Sequence, residues 1–91
     1  MRIIAGLCRG RKLKEFNGRE VRPTSDRARE ALFNILGNVS GDSFLDLYCG
    51  TGAVGLEAAS RGAEKVTLVD TSKESVTLSR DNAKTLEADV R

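Results

Sequence analysis

Apolar positions along the chain change their period from segment to segment, and each change marks an element. Arg2-Ile3-Ile4-Ala5 is a short apolar run, and Arg11-Lys-Leu-Lys-Glu-Phe16 alternates polar and apolar around Leu13 and Phe16. Gly6 and Gly10 bracket the connection, and Asn17-Gly18 marks a further turn, so the spacing predicts an N-terminal β-hairpin. Ala28, Ala31, Leu32, Ile35 and Leu36 then recur at the i, i+3, i+4, i+7, i+8 spacing of one buried helix face. Pro23 disfavours helical geometry at Arg22, while Thr24 or Ser25 suits the cap and Asp26 suits the first turn. With Gly37 as a stop, this predicts a helix near 25–36.

Ser43-Phe-Leu-Asp-Leu-Tyr48 and Lys65-Val-Thr-Leu-Val-Asp70 read as the buried strands of a parallel sheet. Between them lie a glycine-rich bend and a short helix through Leu56, Ala58 and Ala59, ended by Arg61-Gly62. Ser72 suits the cap of a third helix, Lys73 to about Leu86, with Val76, Ala83 and Leu86 as packing positions. Strand, helix, strand, helix is a βαβα unit with a right-handed crossover. Ala88-Asp-Val-Arg91 reads as the approach to a third strand. A two-stranded parallel sheet is marginal alone, so the expectation is a fragment of a longer protein.

Composition narrows the chemistry. The 91 residues, 40% hydrophobic and 31% charged, have the size and balance of one small globular domain. No apolar run approaches the roughly 18 residues of a membrane span, and Met1 to Gly6 is no signal peptide, so the cytoplasm is the expected location. Histidine is absent, which removes the commonest general base and metal ligand. Cys8 and Cys49 make neither a disulfide framework nor a four-ligand zinc site, so no metal is expected. Residues 1–30 hold nine basic against four acidic side chains, a net +5, and residues 31–91 carry −3. That asymmetry predicts a basic hairpin arm over residues 1–22, facing a polyanion through Arg9, Arg11, Lys12 and Lys14, on a body over residues 23–91. The bland alternative is a solvated surface hairpin.

The chemically informative stretch is Asp46-Leu-Tyr-Cys-Gly50-Thr-Gly52-Ala-Val-Gly55, followed by Asp70 twenty residues after Gly50. Glycines at G-x-G-x-x-G spacing, after a strand and before a helix, let a backbone approach a nucleotide, and the later acid accepts ribose hydroxyls. Asp46 is a poor neighbour for a pyrophosphate, which argues against a dinucleotide-dependent oxidoreductase. It also interrupts an apolar strand, where an unpaired buried charge is costly. One reading is a strand-end carboxylate bonded to loop amides. The other is a partner for a cationic ligand: S-adenosylmethionine matches both acids, its methionine end near Asp46 and its ribose on Asp70.

The chain resembles the bacterial 16S ribosomal RNA guanine-N2 methyltransferase family from Met1 to about Leu86. The resemblance lies in Arg2-Ile-Ile-Ala-Gly6, Arg9-Gly-Arg-Lys-Leu13, Val21-Arg-Pro-Thr-Ser-Asp-Arg27, Arg29-Glu-Ala-Leu-Phe-Asn34, Phe44-Leu-Asp-Leu47, the segment Gly50 to Gly62, and Val69-Asp70. It implies an α/β fold: an N-terminal β-hairpin plus the first βαβα portion of a Rossmann-like methyltransferase sheet, incomplete in this chain. It also implies S-adenosylmethionine as methyl donor, with Asp46, Gly50, Gly52 and Asp70 in its site and Thr24 beside it. Amino-methylating enzymes of this kind carry an Asn/Asp-Pro-Pro-aromatic segment that holds the flipped base. Pro23 is the chain's single proline, so that segment is not in it, and no catalytic residue is assigned to it.

The leading expectation is the N-terminal part of a methyltransferase acting on the exocyclic amine of a 16S rRNA guanine. Its partners would be 16S rRNA or the small ribosomal subunit, with no membrane. The isolated chain would be inactive and would self-associate through an unpaired sheet edge. The alternative is a non-catalytic RNA- or nucleotide-binding module ending at Arg91.

Overall fold

A computed structural model describes residues 1–15 and 25–90. The elements are α1 (Asp26–Leu36), β1 (Ser43–Leu47), α2 (Ala53–Ser60), β2 (Lys65–Val69) and α3 (Lys73–Val90). β1 and β2 pair in parallel, with Asp46 opposite Leu68. The predicted βαβα order is therefore the observed one. The Asn17-Gly18 turn, Thr24 and the arm–body boundary at 22/23 lie outside the described residues.

At the N-terminus the pairing is shorter than two strands. Arg2 and Lys12 form one antiparallel bridge, held by Ile3 N–H to Arg11 O at 3.0 Å and Leu13 N–H to Met1 O at 3.0 Å. This segment does not stand off from the body. Ile3, Cys8 and Leu13 share a buried cluster with Ala53, Leu56 and Leu86. Burying such side chains contributes roughly 1.5–3 kcal/mol each for the larger ones, so the hairpin is part of the core.

Ser25, rather than Thr24, caps α1: its Oγ accepts the Ala28 N–H at 3.0 Å. The buried face of α1 differs from the one its apolar spacing predicts. Ile35 is 83% exposed, and Ala28 and Ala31 are exposed too, whereas Arg29 and Phe33 are buried. Phe33 stacks on Phe44 with ring centroids 5.9 Å apart, and the Arg61 guanidinium lies 4.7 Å over the Phe33 ring. These contacts and the partners of Arg29 rotate the helix away from its aliphatic stripe.

The sheet is covered on one face. Phe44, Asp46, Val66 and Leu68 are half-buried, while Leu45 and Leu47 on the other face are 59% and 57% exposed. The strands therefore alternate instead of being buried on both sides, because the packed helix α2 covers only one of them. Gly55 brings α2 down on the strands: a Cβ there would lie 2.2 Å from Leu68 Cδ2 and 3.3 Å from Asp46 Cβ. α3 runs on to Val90, so residues 88–90 continue the helix instead of approaching a strand; from Lys73 to Val90 there is neither Gly nor Pro to stop it. Its buried positions Ser75, Ser79 and Asn82 are polar, with Leu86 completing the face. Among the described residues, no helix is long and apolar enough to cross a membrane.

Candidate cofactor site at the glycine loop

The strands end at one edge of the sheet, and the loop from Tyr48 to Gly52 turns there into α2. Cys49 N–H still bonds Val69 O across the strands, at 2.9 Å. The backbone then turns through positive φ at Gly50 (57°) and Gly52 (86°), which glycine adopts at least cost. Gly52 is buried, and a Cβ on it would meet Ser79 Cβ at 3.0 Å. Tyr48 also has positive φ, 57°, and the residue is 80% exposed. A non-glycine residue in that region carries strain, which collects at functional loops.

Both acids sit at this edge. Asp70, just past β2, accepts Gly50 N–H on Oδ2 at 3.0 Å and Ser72 N–H on Oδ1 at 2.9 Å. Those amides, Ser72 first and then Gly50, hold its carboxyl below the ordinary value. Each oxygen keeps a lone pair for a further donor. Asp46 is half-buried, and its Oδ2 accepts Gly55 N–H at 3.0 Å, one of the orphan donors of the first turn of α2. Burial pushes its carboxyl above the ordinary value and the charge of Asp70 adds to this, against the Gly55 amide. Burial likewise raises the Cys49 thiol. The loop-amide reading of Asp46 thus holds for one oxygen. Oδ1 accepts no hydrogen bond from a described residue.

The structure brings Asp46, Gly50, Gly52 and Asp70 together, at the C-terminal ends of adjacent parallel strands, where α/β sheets bind ligands. Thr24 lies outside the described residues. Arg9 and Lys12 are exposed; Arg11 Nη2 donates to Thr85 O on α3 at 3.3 Å, and Lys14 Nζ lies 3.9 Å from Asp81. Asn82 links hairpin and loop. Its Oδ1 accepts Lys14 N–H at 2.7 Å, and its Nδ2 donates to Lys14 O at 3.1 Å and to Thr51 O at 2.8 Å.

Sequence reasoning missed Asn82 and a second buried group. Glu57 of α2 is fully buried; it accepts Ile4 N–H at 2.9 Å, Ala5 N–H at 3.1 Å and Arg61 Nε–H at 2.8 Å, and Arg29 Nε lies 3.7 Å away. Arg29 in turn donates to Arg2 O and, at 2.9 Å, to Asp26. The available signal is the one that marks Asp46, a charge inside an apolar element, here Ala-Val-Gly-Leu-Glu57-Ala-Ala.

The chain is similar to proteins that are named as methyltransferases. Ribosomal RNA small subunit methyltransferase D of Haemophilus influenzae is 44% identical over 87 residues, which cover 94% of this chain and 45% of that protein. The Escherichia coli protein of the same name is 51% identical over 71 residues, covering 77% and 36%. The solved structure of yhhF from Escherichia coli, a chain named as a methyltransferase, superposes with a TM-score of 0.84 at 40% identity, over 99% of this chain and 49% of that one. The chain thus spans about half the length, or less, of the curated relatives it matches. The chain belongs to the family described as Conserved hypothetical protein 95, whose model matches residues 1–91.

Proposed function

We propose that this chain is the cofactor-binding half of a cytoplasmic S-adenosylmethionine-dependent rRNA methyltransferase, whose whole chain methylates the exocyclic amine of a 16S rRNA guanine. The observation that carries this reading is the pair of carboxylates, Asp46 and Asp70, flanking one glycine loop at the ends of adjacent parallel strands.

The residues fit the cofactor by their donor and acceptor chemistry. Asp70 keeps acceptor capacity for the two ribose hydroxyls, and the amides of Gly50 and Ser72 keep it ionised. Asp46 offers one amide-bonded oxygen and one without a donor among the described residues, in a half-buried setting where a cation is a better partner than water. Gly50 and Gly52 let the backbone approach the ligand, and Thr24 belongs beside them. When bound, S-adenosylmethionine would supply its methyl carbon to an amine nitrogen, the sulfonium sulfur leaving as a neutral thioether. The residues that hold the base and position its amine are assigned to the part of the whole protein beyond this chain. Arg9, Arg11, Lys12 and Lys14 are assigned to rRNA phosphates.

The exposed Leu45, Leu47 and Val69, with the unpaired edges of a two-stranded sheet, further predict that the isolated 91 residues self-associate and transfer no methyl group. A compact monomer at high concentration in sedimentation would overturn the first expectation, and methyl transfer to rRNA above a no-enzyme control the second.

The test of the cofactor site is calorimetry on the full-length protein with Asp70→Ala. Loss of charge-assisted bonds predicts S-adenosylmethionine affinity lower by about tenfold or more. Unchanged affinity removes Asp70 from the site, and stronger binding of NAD than of S-adenosylmethionine removes the cofactor assignment itself.

A further inference from the structure

A cavity of about 300 Å³ opens between α2, α3 and the hairpin turn. Its walls are Cys8, Leu56, Ala59, Ala83 and Leu86. Ser60 also lines it, but its hydroxyl is committed to Ala5 O at 2.6 Å and to the Cys8 N–H at 2.9 Å. The remaining lining residues are Arg80 and Lys84, one turn apart on α3 and both exposed, so they stand at its open side. Neither forms an ion pair with a described residue. The nearest acid on the same helix, Asp81, faces Lys14.

Two cations of the hairpin adjoin this cavity. Arg11 reaches Thr85 O, the residue next to Lys84, and Arg9 follows the cavity-lining Cys8 directly. Single-stranded nucleic acid is held by a cationic track for the backbone together with side chains that cover the faces of unstacked bases, most often aromatic ones; here aliphatic walls take that place, as they can around an extruded base. A guanidinium plane such as that of Arg80 also serves as a stacking surface. The volume is at the small end of ligand pockets.

We infer that this cavity takes one unstacked base of single-stranded RNA, with the flanking phosphates on Arg80 and Lys84. The site rests on the RNA-binding reading of the whole protein and adds a subsite to it. With Ser60 spent on the hairpin backbone, the walls present no side-chain group to read a base edge, so the subsite is indifferent to sequence. It is also not the reacting position. Leu56 to Ser60 lie four to eight residues along the helix from Gly52, about 6–12 Å by helical rise. A nucleotide held here anchors the substrate strand while another one reaches the methyl group.

The test uses the full-length protein and a labelled single-stranded RNA of mixed sequence, titrated at several salt concentrations. Replacing both cations, Arg80→Gln with Lys84→Gln, is expected to weaken binding about tenfold and to lower the slope of log affinity against log salt by about 1.4, at about 0.7 per neutralised phosphate. Filling the cavity with Ala83→Leu, which keeps helix propensity, is expected to weaken binding about fivefold with the slope unchanged. Ala59→Leu, from the opposite wall, is the second filling variant should the first fail to melt cooperatively. An RNA series with a single guanine to fix the register, and one abasic position at a time around it, needs no folded variant. One position should lose affinity for the wild type and none further for the filled variant. S-adenosylmethionine affinity should be unchanged throughout. Unchanged RNA affinity and salt slope in the double cation variant overturn the subsite. So does a loss confined to that variant, with both filling variants and every abasic RNA silent, because phosphates alone are then being held. The hairpin variant Arg9→Gln, Arg11→Gln, Lys12→Gln separates the two readings. If it is silent while the cavity variants weaken binding, the hairpin assignment falls and the subsite stands.

Discussion

Along α2 two carboxylates interrupt apolar surroundings. Glu57, on the second turn, is fully buried and meets two backbone amides, Arg61 and Arg29. Asp46, against the first turn, is half-buried and meets one amide, that of Gly55. A buried charge costs several kcal/mol unless its partners compensate it. Glu57 has its compensation within the chain, and its partners lie on the N-terminal segment, α1 and α2, so it fastens three parts of the fold together. Asp46 is compensated in part, and its carboxyl titrates above the ordinary value in consequence. The difference teaches how to sort buried acids: one with its charge met among the described residues is structural, and one left short of partners among them, at the mouth of a loop, is the candidate for the ligand contact proposed above.

The largest effect should come from breaking the satisfied partner. Glu57→Ala leaves Arg29 buried and the amides of Ile4 and Ala5 without an acceptor. Removing one member of a buried ion pair costs about 3–5 kcal/mol, a large share of the stability of a small domain. Chemical denaturation of the full-length protein should show the loss, and Glu57→Gln, which keeps an acceptor oxygen, should lose less. If Glu57→Ala unfolds at the wild-type midpoint, the carboxylate is not the fastening.

Asp46→Asn should have the opposite sign on stability. The folded carboxyl of Asp46 is raised, so the contribution of its proton is complete below the ordinary value of 3.8 and is lost as pH rises through the raised value. At neutral pH the ionised group is therefore a cost to the fold. Asparagine keeps an oxygen for the Gly55 N–H and removes the charge. The denaturation midpoint at pH 7 should rise, and S-adenosylmethionine affinity should fall. Wild-type affinity should also decline as pH is lowered through the raised value of Asp46. A lower midpoint together with unchanged cofactor affinity would reverse the assignment and make Asp46 structural like Glu57.

The same contrast explains what the sequence made legible. The strands, α2 and the loop announced themselves because glycine spacing and apolar runs are local signals, and Asp46 and Asp70 fall at fixed offsets from Gly50. The face of α1 did not, because Arg29 reads as a surface residue until Glu57, 28 positions later, is seen to draw it in. The buried face of α3 was missed in part for a related reason. Ser75, Ser79 and Asn82 are polar, and apolar periodicity passes over them. Asn82 is buried because it spends its amide on Lys14 and on Thr51, 68 and 31 residues away. Burial that depends on distant polar partners leaves no periodic trace.

The smallest effect on the fold, and a separate one on function, belongs to the hairpin cations. Neutralising Arg9, Arg11 and Lys12 should barely change stability. Arg9 and Lys12 are exposed, and the bond from Arg11 to Thr85 O is exposed to solvent, where water replaces most of what its loss removes. Base specificity needs contacts to base edges, whereas clustered cations mainly meet phosphates. The triple variant should therefore weaken rRNA binding for every sequence tested and lower the salt slope by about 0.7 for each phosphate that is no longer neutralised. S-adenosylmethionine affinity is the control. The hairpin reaches the glycine loop through Asn82, whose partners on the hairpin are the backbone N–H and C=O of Lys14. No side chain of the triple variant takes part in that bridge, so cofactor affinity should hold. A fall in both affinities would mean that the bridge transmits the weakened grip on RNA to the loop. RNA affinity and salt slope both at wild-type values would leave the hairpin as a solvated surface, its three apolar side chains serving the core alone.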